Sequence, residues 1–196
     1  MPSLLIAQIE PPQAPGGGDY YYRTYAPGRA MAEAENVYVV NLTAEHRLRE
    51  EIVAAADVLI LKNICDPDFL PDIQKRRARG QATFYEIADD LKAIPPWNPV
   101  HFFYRNIENQ RLFQRLARVC DGLQFTCGRL QKLYGHLNIR NEVFPNQMLE
   151  ELPAKTRIKG ERIAIGWGGS HGHLEDMAEV AGSLMRWLGT RPEVTL

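Results

Sequence analysis

Short apolar runs separated by helix-forming segments set the tightest limit on what this chain can fold into. Leu4–Ile9 (LLIAQI), Val37–Leu42 (VYVVNL), Val58–Leu61 (VLIL), Ala82–Ile87 (ATFYEI), Leu123–Cys127 and Glu142–Phe144 each read as a strand. Runs this short and this continuous suit strands buried on both faces. Between them lie segments with helical signals. Tyr20–Ala34 follows a glycine-rich loop and carries Pro27 and Gly28, which can split it. Thr43 is an N-cap candidate for a helix through Ala56, with Glu45 in its first turn. Asp66-Pro67-Asp68 opens the next helix, where Pro71 is tolerated in the first turn and Gly80 ends it. Arg105–Val119, with Leu112, Leu116 and Val119 on one face, and Gly128–Leu137 complete the set. Strands alternating with helices at this spacing predict an α/β fold, a Rossmann-like, mostly parallel sheet with helices on both faces.

The order strand, glycine loop, helix occurs a second time. Arg162–Trp187 holds an apolar run (Ile163–Trp167), then Gly168-Gly169-Ser170, then Leu174, Met177, Ala178, Ala181, Leu184, Met185 and Leu188 at helical spacing. The expected organisation is a first domain over 1–150, a linker over 151–160 and the first β-α-β of a second Rossmann-like domain over 161–196. Leu174, Met177 and Leu184 need a cover, so self-association through this second part is expected.

Bulk properties narrow the class. Of 196 residues, 45% are hydrophobic and 24% charged, the balance of a globular protein. The formal net charge of -1 argues against a nucleic-acid binder, which carries a basic excess. No apolar run approaches the ~20 residues of a membrane span, and the N-terminus lacks the pattern of a secretory signal. The expected location is therefore cytoplasmic, or peripheral at the inner face of a membrane. Cys65, Cys120 and Cys127 make an odd set with no CxxC pair, which disfavours a disulfide framework or zinc cluster; Cys120 and Cys127 are expected to be buried.

Right-handed crossovers would gather three loops at the carboxyl edge of the sheet: Gly16–Asp19, Lys62–Asp68 and Glu86–Leu91. Gly16, Gly17 and Gly18 let backbone N–H groups approach an anion, or form a flexible surface loop; they match neither GxGxxG nor a Walker loop. Glu86, Asp89 and Asp90 offer carboxylates for sugar hydroxyls or for a base, or else cap a helix. Of Tyr20, Tyr21 and Tyr22, one is expected in the core, with the others and Arg23 lining the cleft. His171 and His173 read as polar lining. Asp66-Pro67-Asp68 reads as capping, and Lys75, Arg76, Arg77 and Arg79 as a solvated face at a helix C-terminus. No His/Cys/Asp/Glu cluster has ligand spacing, so no metal is expected.

Taken in order, GGxxxYR (Gly17–Arg23), YEIADDL (Tyr85–Leu91), CDGLQFTC (Cys120–Cys127), VFPNQ (Val143–Gln147) and IAIGWGGSHGHLEDM (Ile163–Met177) resemble the amino-terminal half of a GT-B glycosyltransferase. The similarity is to the retaining family 4 group. It implies a nucleotide-sugar donor between two Rossmann-like domains and a sugar, lipid or protein acceptor on the first. No cofactor or bound metal is implied. Gly17 and Gly18 would approach the donor diphosphate, and Gly168, Gly169 and Ser170 would form the first loop of the donor domain. Glu86, Asp89 and Asp90 would stand at the catalytic, sugar-contacting positions, and Asn146 would end the last strand before the linker. The resemblance also carries the expectation that the chain is part of a longer transferase and inactive alone. A non-catalytic α/β ligand-binding module is the competing reading, and a dinucleotide-dependent epimerase or dehydrogenase a third.

Overall fold

The computed structural model describes residues 3–12, 18–146, 148–149, 163–169 and 173–196. Two compact units divide the chain: Met1–Ala93 with Phe103–Glu151, and Ile94–Phe102 with Leu152–Leu196.

The first unit is a six-stranded parallel sheet built from β1 (Leu4–Glu10), β2 (Val37–Thr43), β3 (Val58–Lys62), β4 (Ala82–Ile87), β5 (Gly122–Phe125) and β6 (Asn141–Val143). Their order across the sheet is β2-β1-β3-β4-β5-β6. Its helical segments are α1 (Gly18–Tyr20), α2 (Ala26–Met31), α3 (Arg49–Ala55), α4 (Phe69–Ala78), α6 (Ile107–Val119) and α7 (Gly128–Tyr134). A short helix α5 (His101–Arg105) straddles the unit boundary.

Register shows how both faces are covered. Ala7 lies beside Leu59 and Leu59 beside Thr83, so these three share one face; Gln8, Asn41 and Ile60 share the other. Arg76 of α4 donates to Thr83 Oγ1 at 2.9 Å. Gly28 of α2 packs against Gln8 and Asn41, where a Cβ would come within 2.8 Å of Gln8 Nε2. Helices α4 and α2 therefore cover opposite faces. On the α4 side α3 touches α4 and α4 touches α6, giving a continuous layer. The core between layers holds Ala7, Ile9, Leu59, Leu61, Ile73, Tyr85, Ile87, Phe113, Leu116 and Phe125.

Several local expectations change. Thr43 is not an N-cap: β2 runs through it, paired with Glu10, and Ala44 N–H donates to Glu10 O at 2.8 Å. The extra pairing delays the helix to Arg49. Asn106 breaks the expected Arg105–Val119 helix, because its side chain caps α6 through Glu108 N–H at 2.8 Å. The buried face of α6 is Phe113, Leu116 and Ala117. None of Tyr20, Tyr21 and Tyr22 is buried. A π-helical turn at Tyr21–Tyr25 points Arg23 and Thr24 inward instead. Arg76 is no part of a solvated face: it is 2% exposed and donates to Val53 O, Ala56 O, Asp57 O, Ala82 O and Thr83. Cys120 is buried as expected, but Cys127, just outside β5 at the start of α7, is exposed. Asp66 caps a turn through Asp68 N–H (2.9 Å) and pairs with Arg49 (2.8 Å). Gly80, at φ +73°, ends α4 as the sequence predicts.

In the second unit β7 (Ile163–Ala164) and β8 (Val194–Thr195) pair in parallel, joined through α8 (Leu174–Leu188), a β-α-β unit. The strand expected over Ile163–Trp167 spans two residues, and α8 has no buried residue. No helix among the described residues is long and apolar enough to cross a membrane.

Candidate functional site

The chain leaves β1 toward β2 on one side and leaves β3 toward β4 on the other, so the sheet reverses direction between β1 and β3. In open α/β sheets the crevice at the carboxyl ends of such a strand pair is where ligands bind. Glu10 ends β1 and Lys62 ends β3.

Register builds a polar row there. Thr43 pairs with Glu10, Lys62 with Glu86, Glu86 with Gln124 and Gln124 with Glu142. Glu10 and Lys62 follow the paired Ile9 and Leu61. One side chain from every strand thus contributes to a single row on the α2 face, with charge alternating Glu10, Lys62, Glu86 across β1, β3 and β4.

Lys62 Nζ lies 2.7 Å from Glu10 Oε1 and 2.8 Å from Asp19 Oδ2 of α1, without hydrogen-bond angles to either. Thr24 Oγ1 donates to Glu10 Oε1. Arg23 Nε donates to Glu86 Oε1 at 2.8 Å, and its Nη1 donates to Phe144 O and to Asn146 Oδ1 (3.4 Å). The π-helical turn aims Arg23 and Thr24 into the row. With these groups ionised, Glu10, Asp19 and Glu86 face Lys62 and Arg23, and Glu142 at the far end of the row adds a further acid, so negative charge is in excess.

Burial sets the electrostatics. It pushes Glu86 up from its ordinary value, although Arg23, by hydrogen bond and charge, and Lys62 pull the other way. For Lys62 burial is the largest single influence and works against the ammonium. The charges of Asp19 and Glu10 and the close approach of their oxygens to the ammonium together outweigh it, so the pKa lies above the ordinary value.

Asn63 follows Lys62 at φ +49°, a left-handed conformation that asparagine tolerates better than most side chains. Its N–H donates to Glu86 O (2.9 Å), its Oδ1 accepts from Ala88 N–H (3.1 Å) and its carbonyl accepts from Tyr104 Oη (3.2 Å). The loops after β3 and β4 are thereby tied together. Asp90 accepts from Tyr134 Oη and from Lys92 N–H (3.2 Å), and burial together with Asp90 raises the Tyr134 pKa. Asp89 is exposed.

Of the residues expected from sequence, the fold brings Lys62, Glu86 and Arg23 together. Tyr21 is half-buried, stacked edge-on against Tyr22 at 5.2 Å. Gly18 opens α1. Gly168 and Gly169 belong to the second unit, where His173 pairs with Asp176 at 2.8 Å on the surface. Gly16, Gly17, Ser170 and His171 lie outside the described residues. Sequence reasoning placed the loops carrying Asp19 and Asn63 at this edge without singling out either residue, and it missed Glu10 and Thr24. For Glu10 a signal existed: a carboxylate ending a buried strand needs a cation, and Lys62 ends another.

These features define the first unit as a Rossmann-like α/β domain with a charged row at its carboxyl edge. No protein-family model matches the chain, and no curated protein matches it. Among solved structures it is similar to a conserved protein from Enterococcus faecalis V583, at 13% identity and a TM-score of 0.38, over 69% of this chain and 97% of that one.

Proposed function

We propose that this chain takes part in transferring a sugar from a nucleotide-sugar donor to an acceptor, by a retaining route without a bound metal. The observation that carries the reading is the polar row at the carboxyl edge, with YEIADDL leaving β4 into it. Alternating fixed donors and acceptors suit the hydroxyls of a sugar, and an excess of negative charge suits a neutral polyol better than a diphosphate. In this reading the row is the acceptor side. The departing diphosphate, whose negative charge needs N–H groups and cations, belongs with the Gly168–Gly169 segment.

The roles of the carboxylates differ. Glu86, 3% exposed and held by Arg23, positions the row rather than abstracting a proton. Asp89, exposed just beyond the end of β4, is the acid that would meet an acceptor hydroxyl. The reading places the protein in the cytoplasm or at the inner face of a membrane, and includes self-association through α8. A monomer in size-exclusion chromatography would remove that last element alone.

The test is saturation-transfer NMR on the full chain with UDP-, GDP- and ADP-sugars and with simple glycosides, followed by an assay for nucleoside diphosphate release. Sugar contacts weakened by Asp89→Asn and by Lys62→Met support the proposal. Absence of contact with every sugar and every nucleotide-sugar overturns it. The locked state of Glu86 favours a second reading, a non-catalytic binding module, which predicts binding without release by any form of the protein that contains both domains.

A further inference from the structure

The stretch around α6 carries a positive excess within a chain that is otherwise net negative. Residues 91–120 hold Lys92, Arg105, Arg111, Arg115 and Arg118 against a single acid, Glu108, within a chain of net charge -1. Viewed down α6 at 100° per residue, Ile107, Arg118, Arg111 and Arg115 fall within about 80° of arc. Buried Phe113, Leu116 and Ala117 occupy the opposite side. The arginines therefore form one outward stripe along a 13-residue helix, about 20 Å long. Arg111 pairs with Glu108 at 2.7 Å, but both are about 70% exposed and such a pair is weak in water.

Apolar side chains stand at the amino end of this stripe. Ile107 is 57% exposed, and Phe103, four residues before it, is 49% exposed. Water gains nothing from them, and the local anchor is firm: Tyr104, between Phe103 and Arg105, is buried and donates to Asn63 O at 3.2 Å. A basic stripe ending in exposed aromatic and aliphatic side chains matches the two terms of interfacial binding, attraction to anionic headgroups and shallow burial of apolar groups.

The geometry points to the outer face of α6, with Phe103 just before it, as a docking surface for an anionic lipid bilayer. The charge excess selects the anionic surface. Ile107 and Phe103 select lipid over a nucleic acid or an acidic protein segment, because they offer an acyl boundary to enter rather than a hydrogen-bonding edge. This surface does not depend on the sugar-transfer reading, and its test bears on the location that reading includes but not on the transfer itself.

The experiment is co-sedimentation of the full chain with vesicles of phosphatidylcholine alone and of phosphatidylcholine mixed with phosphatidylglycerol. Binding to the mixed vesicles at ~0.1 M salt and its loss at ~0.5 M salt is expected. Each basic group near such a surface weighs about fivefold in partitioning, so R111Q/R115Q/R118Q loses about a hundredfold. F103S/I107S weakens binding at low salt as well, with the circular dichroism spectrum unchanged in both variants. Equal binding to both vesicle types, no binding to either, or full binding by the folded triple variant overturns the proposal. So does preference for a single-stranded oligonucleotide over the mixed vesicles.

Discussion

Arg23 and Glu86 offer the sharpest test of the charged row, because both side chains are only 4% exposed and each holds the other. Arg23→Met leaves a buried carboxylate without its hydrogen-bond donor, a change that costs roughly 3–5 kcal/mol. Lys62 lies beside Glu86 and its charge softens the loss, which puts the expected cost near the lower end, about 3 kcal/mol. Glu86→Gln keeps an oxygen for Arg23 Nε, and Nη1 keeps Phe144 O and Asn146 Oδ1; its cost is about 1–2 kcal/mol. Once the carboxylate is gone, deleting the guanidinium strands no charge. The double variant should therefore fall short of the sum of the singles by about 2 kcal/mol. Urea unfolding followed by circular dichroism resolves this against a total stability of about 5–15 kcal/mol. The acid limb adds a second readout. Glu86 has a raised pKa in the fold, so the native state holds its proton to higher pH than the unfolded chain does. Stability then falls as pH climbs from the ordinary carboxyl range through the folded value. Glu86→Gln should flatten that fall, and Arg23→Met, which removes the group opposing the shift, should extend it to higher pH. Strict additivity of the two substitutions, with an unchanged acid limb in both, would refute the buried-pair account.

Arg76→Leu removes a cation donating to four carbonyls and one hydroxyl, and Arg76→Lys cannot span them; each should cost about 3 kcal/mol, or roughly 10 °C in melting temperature by calorimetry. Thiol chemistry should single out Cys127. The Leu130 N–H bonded to its sulfur lowers its pKa, whereas burial pushes Cys65 and Cys120 up to about 12. One thiol should react rapidly with a disulfide reagent near neutral pH, and Cys127→Ser should abolish that phase. Alkali should destabilise the fold in two ways. Unfolded cysteines lose protons from their ordinary 9.0 upward while Cys65 and Cys120 hold theirs to about 12. The contribution of Lys62 is complete below its ordinary 10.5 and fades as pH passes its raised folded value. Urea midpoints should decline steadily from about pH 9, and a flat profile would contradict the burial of these groups.

The strands were legible in the sequence because a parallel sheet covered on both faces demands unbroken apolar runs, and Ala82–Ile87 is the observed β4 residue for residue. Boundaries set by tertiary hydrogen bonds were not legible. Thr43 stayed in β2 because Glu10, far away in sequence, pairs with it, and no local signal at Thr43 records that. Arg76 could have been read. Phe69, Ile73 and Arg76 recur at helical spacing on one face of α4, so a single arginine in a basic cluster stands where an apolar residue would be expected. Its carbonyl partners explain why the cation is tolerated there. Arg23 was legible as a cleft residue but its burial was not, because a π-helical turn shifts the inward face from the tyrosines to Arg23 and Thr24, and a tyrosine run carries no mark of such a turn.

The charged row lies between these cases. Glu10, Lys62 and Glu86 are each visible in the sequence as a charged residue at or near the end of an apolar run, which alone reads as a strand leaving the core. Only the register converts Glu10, Lys62 and Glu86 into neighbours, and register in a parallel sheet is fixed by which faces are buried. Ala7, Leu59 and Thr83 share the α4 face, so Gln8, Ile60 and Phe84 must share the other, and two residues further along the same parity delivers Glu10, Lys62 and Glu86 to one line. The apolar pattern that builds the core thus also aligns the charges above it. A one-residue slip of β3 would break both at once, turning Lys62 toward the α4 layer and leaving Glu10 and Glu86 without the cation between them.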